Sequence, residues 1–191
     1  MILLSMLSIP VACNGDESDE MEMGISQERH YTDGPPEVVV GKIRNDTELS
    51  GAQLDERIES IQVELQEVVN LVYGGDLRTL PEHVHVEKGL YVDVKAHRTH
   101  SEVRSEVADP HSYLSRFFVG DGSDITDPGE DPVPIKEVLQ LTRSIKADVF
   151  LLSEDFCEIQ LTLEDAPGRS YYLNNPVLIE WEGRWYIYRM F

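Results

Sequence analysis

Positive charge is scarce in this sequence, and the scarcity limits the partners it can have. Lys and Arg total 16 against 36 Asp and Glu, which gives the 191-residue chain a formal net charge of −20. A chain this acidic repels the phosphates of nucleic acids and anionic lipid headgroups, so we expect no nucleic acid among its partners. The ordinary interpretation of such acidity is a soluble, solvated surface, and cation binding is the alternative.

The sequence also lacks the short motifs of several enzyme classes. It contains no G-x-S-x-G nucleophile elbow, no Walker or dinucleotide-binding glycine loop, and no H-E-x-x-H zinc motif. We therefore assign no catalytic residue and no cofactor from the sequence. Non-enzymatic binding is the expected activity, although an enzyme without these motifs stays open.

Cysteine is rare, and the two that are present lie in different contexts. Cys157 falls in the apolar phase of a predicted strand, where a thiol is usually a small buried hydrophobe. Cys13 ends an apolar run at the start of the chain. These contexts do not favour a disulfide between the two.

Long hydrophobic runs are lacking. Residues 1–13 have the length of a signal-peptide core and are far too short to span a bilayer, and no Lys or Arg precedes them. Residues 9–13, IPVAC, resemble a bacterial lipobox, with Ala12 before the cysteine and Pro10 where Leu is usual. The resemblance implies a signal peptide at 1–13, acyl chains on Cys13, and a membrane-anchored lipoprotein on the periplasmic or surface side of the cell envelope. The alternative is a fortuitous apolar N-terminus.

The segment after Cys13 is polar and irregular. Residues 14–22 are acidic and show neither helical nor strand periodicity, and Gly34-Pro35-Pro36 interrupts any regular element. We expect residues 14–52 to form a flexible acidic tether, with 37–41 as a possible short edge strand, and residues 53–191 to form one domain.

The domain begins with helices and ends with strands. Apolar residues recur at three- and four-residue steps from Leu54 to Val72, which predicts an amphipathic helix of about five turns with its glutamates on the solvent side, Glu64 among them. Gly75 suits its left-handed cap, and Thr99 with Glu102 suits a capping box on a later helix. Strands are predicted near 84–94, 147–154, 156–164, 170–181 and 184–191.

The chain closes with a predicted hairpin. Glu182-Gly183 forms a two-residue loop between Trp181 and Arg184, flanked by aromatic and β-branched residues that favour strands. Helices followed by strands indicate an α+β fold with an antiparallel sheet. We interpret the aromatic residues of this region as core and sheet surface rather than a ligand cage: Trp181, Trp185, Tyr186, Tyr188, Tyr171 and Tyr172.

These segments carry a resemblance to a known fold. Residues 69–76, VNLVYGGD, and the hairpin WEGRWYI are similar to the opening helix and closing hairpin of the cystatin-like, nuclear-transport-factor-type (SnoaL-like) domains. The turn in HVHVEKGLYVD is similar to that of small uncharacterised bacterial lipoproteins. The resemblance implies a curved antiparallel sheet of about four to six strands with helices on its concave face. It implies no activity, because this fold serves enzymes, carriers and association modules alike.

Histidine is unevenly distributed, and this is the clearest hint of chemistry. Five of the six histidines fall between positions 83 and 111. If His83 and His85 lie on one strand, their imidazoles share a side, as a metal site requires. His97 and His100, with Glu87 or Asp93, are further candidate ligands, and His111 is the last of the cluster.

Two other candidate sites are weaker. The loop from Asp121 to Asp131 is rich in oxygen donors, but Ile125 occupies the fifth position of an EF-hand template and no glycine follows it. An acid–base pair inside the cone would use Asp93, His97, Asp148 or Tyr171.

Three functions therefore stay open. The leading one is a lipid-anchored envelope protein that binds a small molecule or an envelope protein partner without catalysis. The second is an isomerase- or dehydratase-like enzyme using a His–Asp pair. The third is a metal-binding envelope protein using the cluster from His83 to His111. The sequence leaves the oligomeric state undetermined.

Overall fold

The computed structural model describes residues 32–92, 96–120 and 133–190, which form an α+β fold with one mixed sheet. The strands are β1 (Glu37–Asn45), β2 (Leu90–Tyr91), β3 (His97–Arg98), β4 (Ser144–Ser153), β5 (Phe156–Leu163), β6 (Val177–Trp181) and β7 (Arg184–Arg189). The helices are α1 (Ala52–Gly74), α2 (His100–Val107), α3 (Tyr113–Phe118) and α4 (Ile135–Leu139), with 3₁₀ helices at Leu77–His83 and Pro167–Tyr172.

The sheet is larger and less uniform than the sequence predicted. Seven strands lie in the order β1-β4-β5-β6-β7-β2-β3, rather than four to six in one antiparallel array. β1 pairs with β4, and β2 with β7, in parallel, while the other neighbours are antiparallel. The antiparallel prediction holds for the consecutive strands β4 to β7 and for the short pair β2–β3.

The outer edge strand β1 lies in the segment predicted to be a tether, where the short edge strand expected at 37–41 forms and extends to Asn45. Residues 37–40 and 43–45 pair with β4 on either side of an irregularity, so the folded part begins upstream of residue 53. Two glutamines of α1 hold β1 in place, since Gln66 Oε1 accepts from the Val38 N–H and Gln62 Nε2 donates to the Val38 carbonyl, both at 2.7 Å. These bonds satisfy backbone groups that an edge strand otherwise exposes.

α1 forms as the periodicity predicts and supplies one wall of the core. Its apolar stripe and the buried alternate residues of β4 and β5 belong to one hydrophobic core. The other side chains of these two strands stay half-buried or exposed. Gly75 ends the helix in the left-handed conformation at φ 75°, and its N–H donates to the carbonyls of Leu71 and Val72. Among the described residues, no helix is long and apolar enough to cross a membrane.

The closing hairpin also forms as predicted. Trp181 pairs with Arg184, and Glu182 and Gly183 take φ of 51° and 82°, the left-handed values of a type I′ turn. β6 is shorter than the predicted 170–181, because Pro167–Tyr172 forms a 3₁₀ helix.

The prediction of a strand over 84–94 is mostly wrong. Within the described residues 84–92, only Leu90–Tyr91 pairs as a strand. Upstream of it, the Gly89 N–H donates to the carbonyl of His85, and the side chain of His85 accepts from two further backbone N–H groups. These local bonds close a turn and remove the donors that a sheet ladder needs.

Candidate functional site

The structure separates the two histidines that were expected to act together. His83 ends the first 3₁₀ helix and turns toward α1, where its Nδ1 lies 2.9 Å from Glu64 Oε1. His85 turns toward the C-terminal hairpin and packs against the rings of Trp181 and Tyr186. The prediction that His83 and His85 share one side of a strand is therefore wrong, because no strand forms at these positions.

The other clustered histidines bind backbone groups instead of meeting at a metal site. Nε2 of His97 contacts the carbonyl of Lys88 at 2.8 Å, and Nε2 of His100 contacts the carbonyl of Pro81 at 3.0 Å. Both imidazoles thus tether the turn region to neighbouring elements. The backbone N–H of His111 donates to Asp109 in the turn before α3.

A surface cavity lies where the 81–86 segment meets the C-terminal hairpin. It has a volume of about 410 Å³. Its walls combine aromatic, charged and aliphatic side chains from Pro81, Glu82, Val84, His85, Val86, His100, Trp181, Glu182, Arg184 and Tyr186. This size and mixture are typical of sites for small molecules, which use apolar contact for affinity and a few polar groups for orientation.

His85 is the best-defined polar group of this cavity. The residue is 4% exposed, and its Nδ1 accepts hydrogen bonds from the backbone N–H groups of Glu87 and Lys88, both at 3.2 Å. Two donors at Nδ1 require an unprotonated nitrogen there, so the proton of the neutral ring sits on Nε2. Nε2 has no hydrogen-bond partner among the described residues, so it remains as a donor for a bound molecule.

Two aromatic rings hold the imidazole of His85 from the sides. The ring centroids of Trp181 and Tyr186 lie 5.2 and 5.3 Å away, both at steep interplanar angles. Such edge-to-face pairs favour one ring orientation. Trp181 remains 47% exposed, so much of its indole surface stays free to contact a ligand.

Arg184 places a cation at the rim of the same cavity. Its guanidinium lies 5.1 Å from the centroid of the Tyr186 ring and donates to the carbonyl of Glu82 at 2.9 Å. A backbone carbonyl does not neutralise the guanidinium, so its charge remains for a ligand. The cavity therefore offers one cation and one neutral N–H donor beside aromatic surfaces.

The aromatic residues divide between core and cavity. Trp185 is buried, as predicted, and Tyr188 packs against Tyr91. Tyr171 is 65% exposed, and its ring packs against that of Tyr172 in the second 3₁₀ helix. Trp181 and Tyr186 lie on the sheet surface, on β6 and β7, and both line the cavity.

The proposed acid–base residues do not converge in the part of the chain that the structure describes. Asp148 lies on the face of β4 opposite the core and accepts from the Lys42 N–H at 2.7 Å. That hydrogen bond, together with nearby Lys146, lowers the pKa of its carboxyl. Tyr171 and His97 are exposed, so the expectation that these three point inward is wrong. Asp93 and the loop 121–131 lie outside the described residues.

A second cavity of about 320 Å³ lies beside the C-terminal end of α1. Asp76 and Arg78 form an ion pair at its edge, and the guanidinium and backbone N–H of Arg78 lower the pKa of Asp76 to about 2. Because each charge already has its partner, this cavity presents less for a ligand than the one at His85.

Glu64 is a residue that sequence reasoning placed wrongly. It is 6% exposed and faces His83, although its type suggested the solvent side of α1. Its position between Ile61 and Leu65, and four residues before Val68, puts it within the buried stripe. Helical phase was therefore the signal that could have found it.

Of the two cysteines, the structure describes Cys157. Cys157 is fully buried in β5, and burial raises the pKa of its thiol to about 12, as expected of a structural cysteine. Cys13, its predicted lipidation and His30 lie outside the described residues.

Comparisons with known proteins give no relative for this chain. No family model, curated protein or solved structure matches it.

Proposed function

We propose that this protein is a lipid-anchored envelope protein whose α+β domain binds a small molecule without catalysing a reaction. The anchor would be the acylated Cys13, and the binding site would be the cavity between the 81–86 segment and the β6–β7 hairpin. The observation that carries the binding proposal is the geometry of His85, with Nδ1 occupied by the backbone and an Nε2–H left for a ligand.

This geometry favours binding over acid–base catalysis. A histidine that acts as a general base needs a free lone pair facing the substrate. In His85 the lone pair of Nδ1 is engaged by Glu87 and Lys88, and the other nitrogen carries the proton. The ring therefore donates a hydrogen bond, which orients a ligand.

The lining indicates the chemistry of the ligand. Trp181 and Tyr186 offer flat apolar surfaces, His85 offers a neutral donor, and Arg184 offers a positive charge. A planar molecule bearing a carboxylate or another strong acceptor matches all four. The exposed glutamates at positions 82 and 182 would disfavour a second anionic group on the rim.

The binding proposal is tested by ligand-observed NMR with three probes, benzoate, phenyl phosphate and benzyl alcohol. Saturable binding of an anionic probe is expected, weakened at least fivefold in His85→Phe and Arg184→Gln. Arg78→Gln serves as the matched control, because it removes the same charge beside the second cavity. Equal binding by all three variants, or no saturable binding by any probe, would contradict the proposal.

The anchor is tested separately in cells that express the whole gene. Cys13→Ser is expected to abolish incorporation of a labelled fatty acid and partitioning into detergent. Cys157→Ala removes the other thiol and should change neither readout. A Cys13→Ser protein that still takes up label and partitions with detergent would show the lipoprotein assignment to be wrong.

We further propose that the domain is a variant of the cystatin-like, nuclear-transport-factor-type cone. Support comes from a long first helix packed against consecutive antiparallel strands that end in a tight hairpin. The parallel strand β1 at one edge is an addition to that plan. An experimental structure with a flat sheet, uncurved around α1, would contradict this assignment.

A further inference from the structure

A second cluster of titratable groups lies where α1 meets the first 3₁₀ helix. Glu64 and Glu67 lie three residues apart on α1, so both side chains project from the same side of the helix. His83 faces them, with its Nδ1 2.9 Å from Glu64 Oε1 and 3.9 Å from Glu67 Oε2. One ligand atom from each of the three residues lies within 4.8 Å of the other two.

The charges in this cluster do not balance. Glu64 is 6% exposed and His83 is 8% exposed, while Glu67 reaches the surface. Among the described residues, no lysine or arginine forms an ion pair with either glutamate, and the one group facing both is a single imidazole. Burying a carboxylate is unfavourable unless a cation pairs with it. Two carboxylates carry two negative charges, and one imidazole carries at most one positive charge, so the cluster is net negative in either protonation state of the ring.

The spacing of the three atoms is close to that of metal ligands. With bonds of about 2.0–2.2 Å, neighbouring ligands of a tetrahedral or octahedral ion lie roughly 2.8–3.6 Å apart. Glu64 and His83 already have such a separation. Glu67 has to approach by about 1 Å, and its side chain is 56% exposed, which leaves it free to move.

We propose that Glu64, Glu67 and His83 form a binding site for a divalent transition metal of the zinc class. His83 supplies Nδ1 and each glutamate supplies one carboxylate oxygen, which leaves further coordination positions for water. Imidazole favours zinc over calcium or magnesium, which prefer all-oxygen sites. Of the four histidines that the sequence offered as metal ligands, only His83 belongs to this site.

The site is independent of the cavity at His85. None of the three proposed ligand residues lines that cavity. His83 ends the first 3₁₀ helix, and Glu64 and Glu67 lie on α1. A metal bound here would link the first 3₁₀ helix to α1. It would thereby fix the position of His83, which lies within the 81–86 segment beside the cavity.

The test is calorimetric titration of the metal-free full chain with Zn²⁺, followed by Ca²⁺ on a separate sample. One tight Zn²⁺ equivalent is expected, with Ca²⁺ at least a hundredfold weaker. Glu67→Gln should weaken the tightest Zn²⁺ site at least tenfold. Because Glu67 is largely exposed, this variant is expected to fold, which a circular dichroism spectrum verifies. Glu59→Gln is the matched control, since it removes the same charge from an exposed position of α1.

A second readout separates metal binding from a structural hydrogen bond. Zn²⁺ should raise the melting temperature of the wild type and of Glu59→Gln, and should raise those of Glu67→Gln and His83→Gln much less. If Glu59→Gln weakens zinc as much as Glu67→Gln does, general acidity attracts the ion and the site is refuted. Zinc affinity unchanged in both Glu67→Gln and His83→Gln would also overturn it.

Discussion

The indole Nε1–H of Trp185 donates a hydrogen bond to Ser60 Oγ at 3.0 Å, across 125 positions of the sequence. This bond joins the C-terminal hairpin to α1, the first helix of the domain. The Trp185 ring is 3% exposed, and the guanidinium of Arg57 lies 5.5 Å from its centroid. The hairpin therefore packs against α1 in the core and also pairs within the sheet.

Replacing Trp185 tests this relationship. Trp185→Ala is expected to lower the free energy of unfolding by about 3–5 kcal/mol, because it removes a large buried ring and leaves a cavity. Urea denaturation measures the loss. Trp181→Ala, at the exposed end of the same hairpin, is the control and should cost less than about 1 kcal/mol. A loss below about 1 kcal/mol for Trp185→Ala would mean that the faces of β7 are assigned wrongly.

The ion pair between Arg143 and Asp165 predicts a dependence of stability on pH. The guanidinium and backbone N–H of Arg143 donate to this carboxylate and lower the pKa of Asp165 to about 2 from the usual 3.8. A lowered pKa in the folded state stabilises the fold above the usual value, and the contribution is lost as the pH falls toward the folded pKa.

The variant Asp165→Asn isolates that contribution. The wild type should exceed this variant in stability at pH 5, and the difference should shrink between about pH 4 and pH 2. Urea midpoints measured at half-unit steps give the comparison. A constant gap for Asp165→Asn over the whole range would contradict the assigned pKa.

Cys157 should be unreactive in the folded protein. Burial raises the pKa of its thiol to about 12, so neither the thiolate nor access to it is available at neutral pH. In a Cys13→Ser background, a disulfide reagent at pH 8 should label no thiol in buffer and one thiol in guanidinium. Rapid labelling without denaturant would show that β5 opens locally or that Cys157 is exposed.

Much of this fold could be predicted from the sequence where periodicity was regular. The stripe of α1, the cap at Gly75 and the Glu182-Gly183 turn each follow from local residue chemistry, and all three form. β1 was harder to foresee, since it pairs in parallel with β4 far along the chain and depends on the side chains of Gln62 and Gln66. No local pattern carries that information.

Only the residues of the candidate site could be predicted from the sequence, and their arrangement could not. The sequence pointed to the histidines from His83 to His111. In the structure, His83 contacts α1 while His85 contacts the C-terminal hairpin. His85 uses its side chain to close a turn, so the expected strand does not form and His83 faces α1. Side-chain bonds to the backbone compete with strand formation, and hydropathy alone does not reveal which of the two prevails.

Gly89, which follows this turn, is the position where a single methyl group should matter most. Its φ is 67°, and a Cβ there would lie 2.2 Å from the carbonyl oxygen of Arg98 on β3. Gly183 has a similar φ of 82°, but a Cβ there would meet nothing within 4 Å. Alanine substitutions at the two positions therefore distinguish backbone strain alone, at Gly183, from strain combined with a steric clash, at Gly89.

Gly183→Ala should cost about 1–2 kcal/mol, the usual penalty for a left-handed residue with a Cβ. Gly89→Ala should cost more, since the added methyl group also forces β3 away from β2. Urea denaturation measures both losses, and hydrogen exchange at the Val92 amide, which donates to the Ala96 carbonyl, reports on the β2–β3 connection. Faster exchange in Gly89→Ala but not in Gly183→Ala is expected. Equal losses of stability in the two variants, with unchanged hydrogen exchange at Val92, would show that β3 does not constrain Gly89. The turn that positions His85 would then depend on its own hydrogen bonds alone.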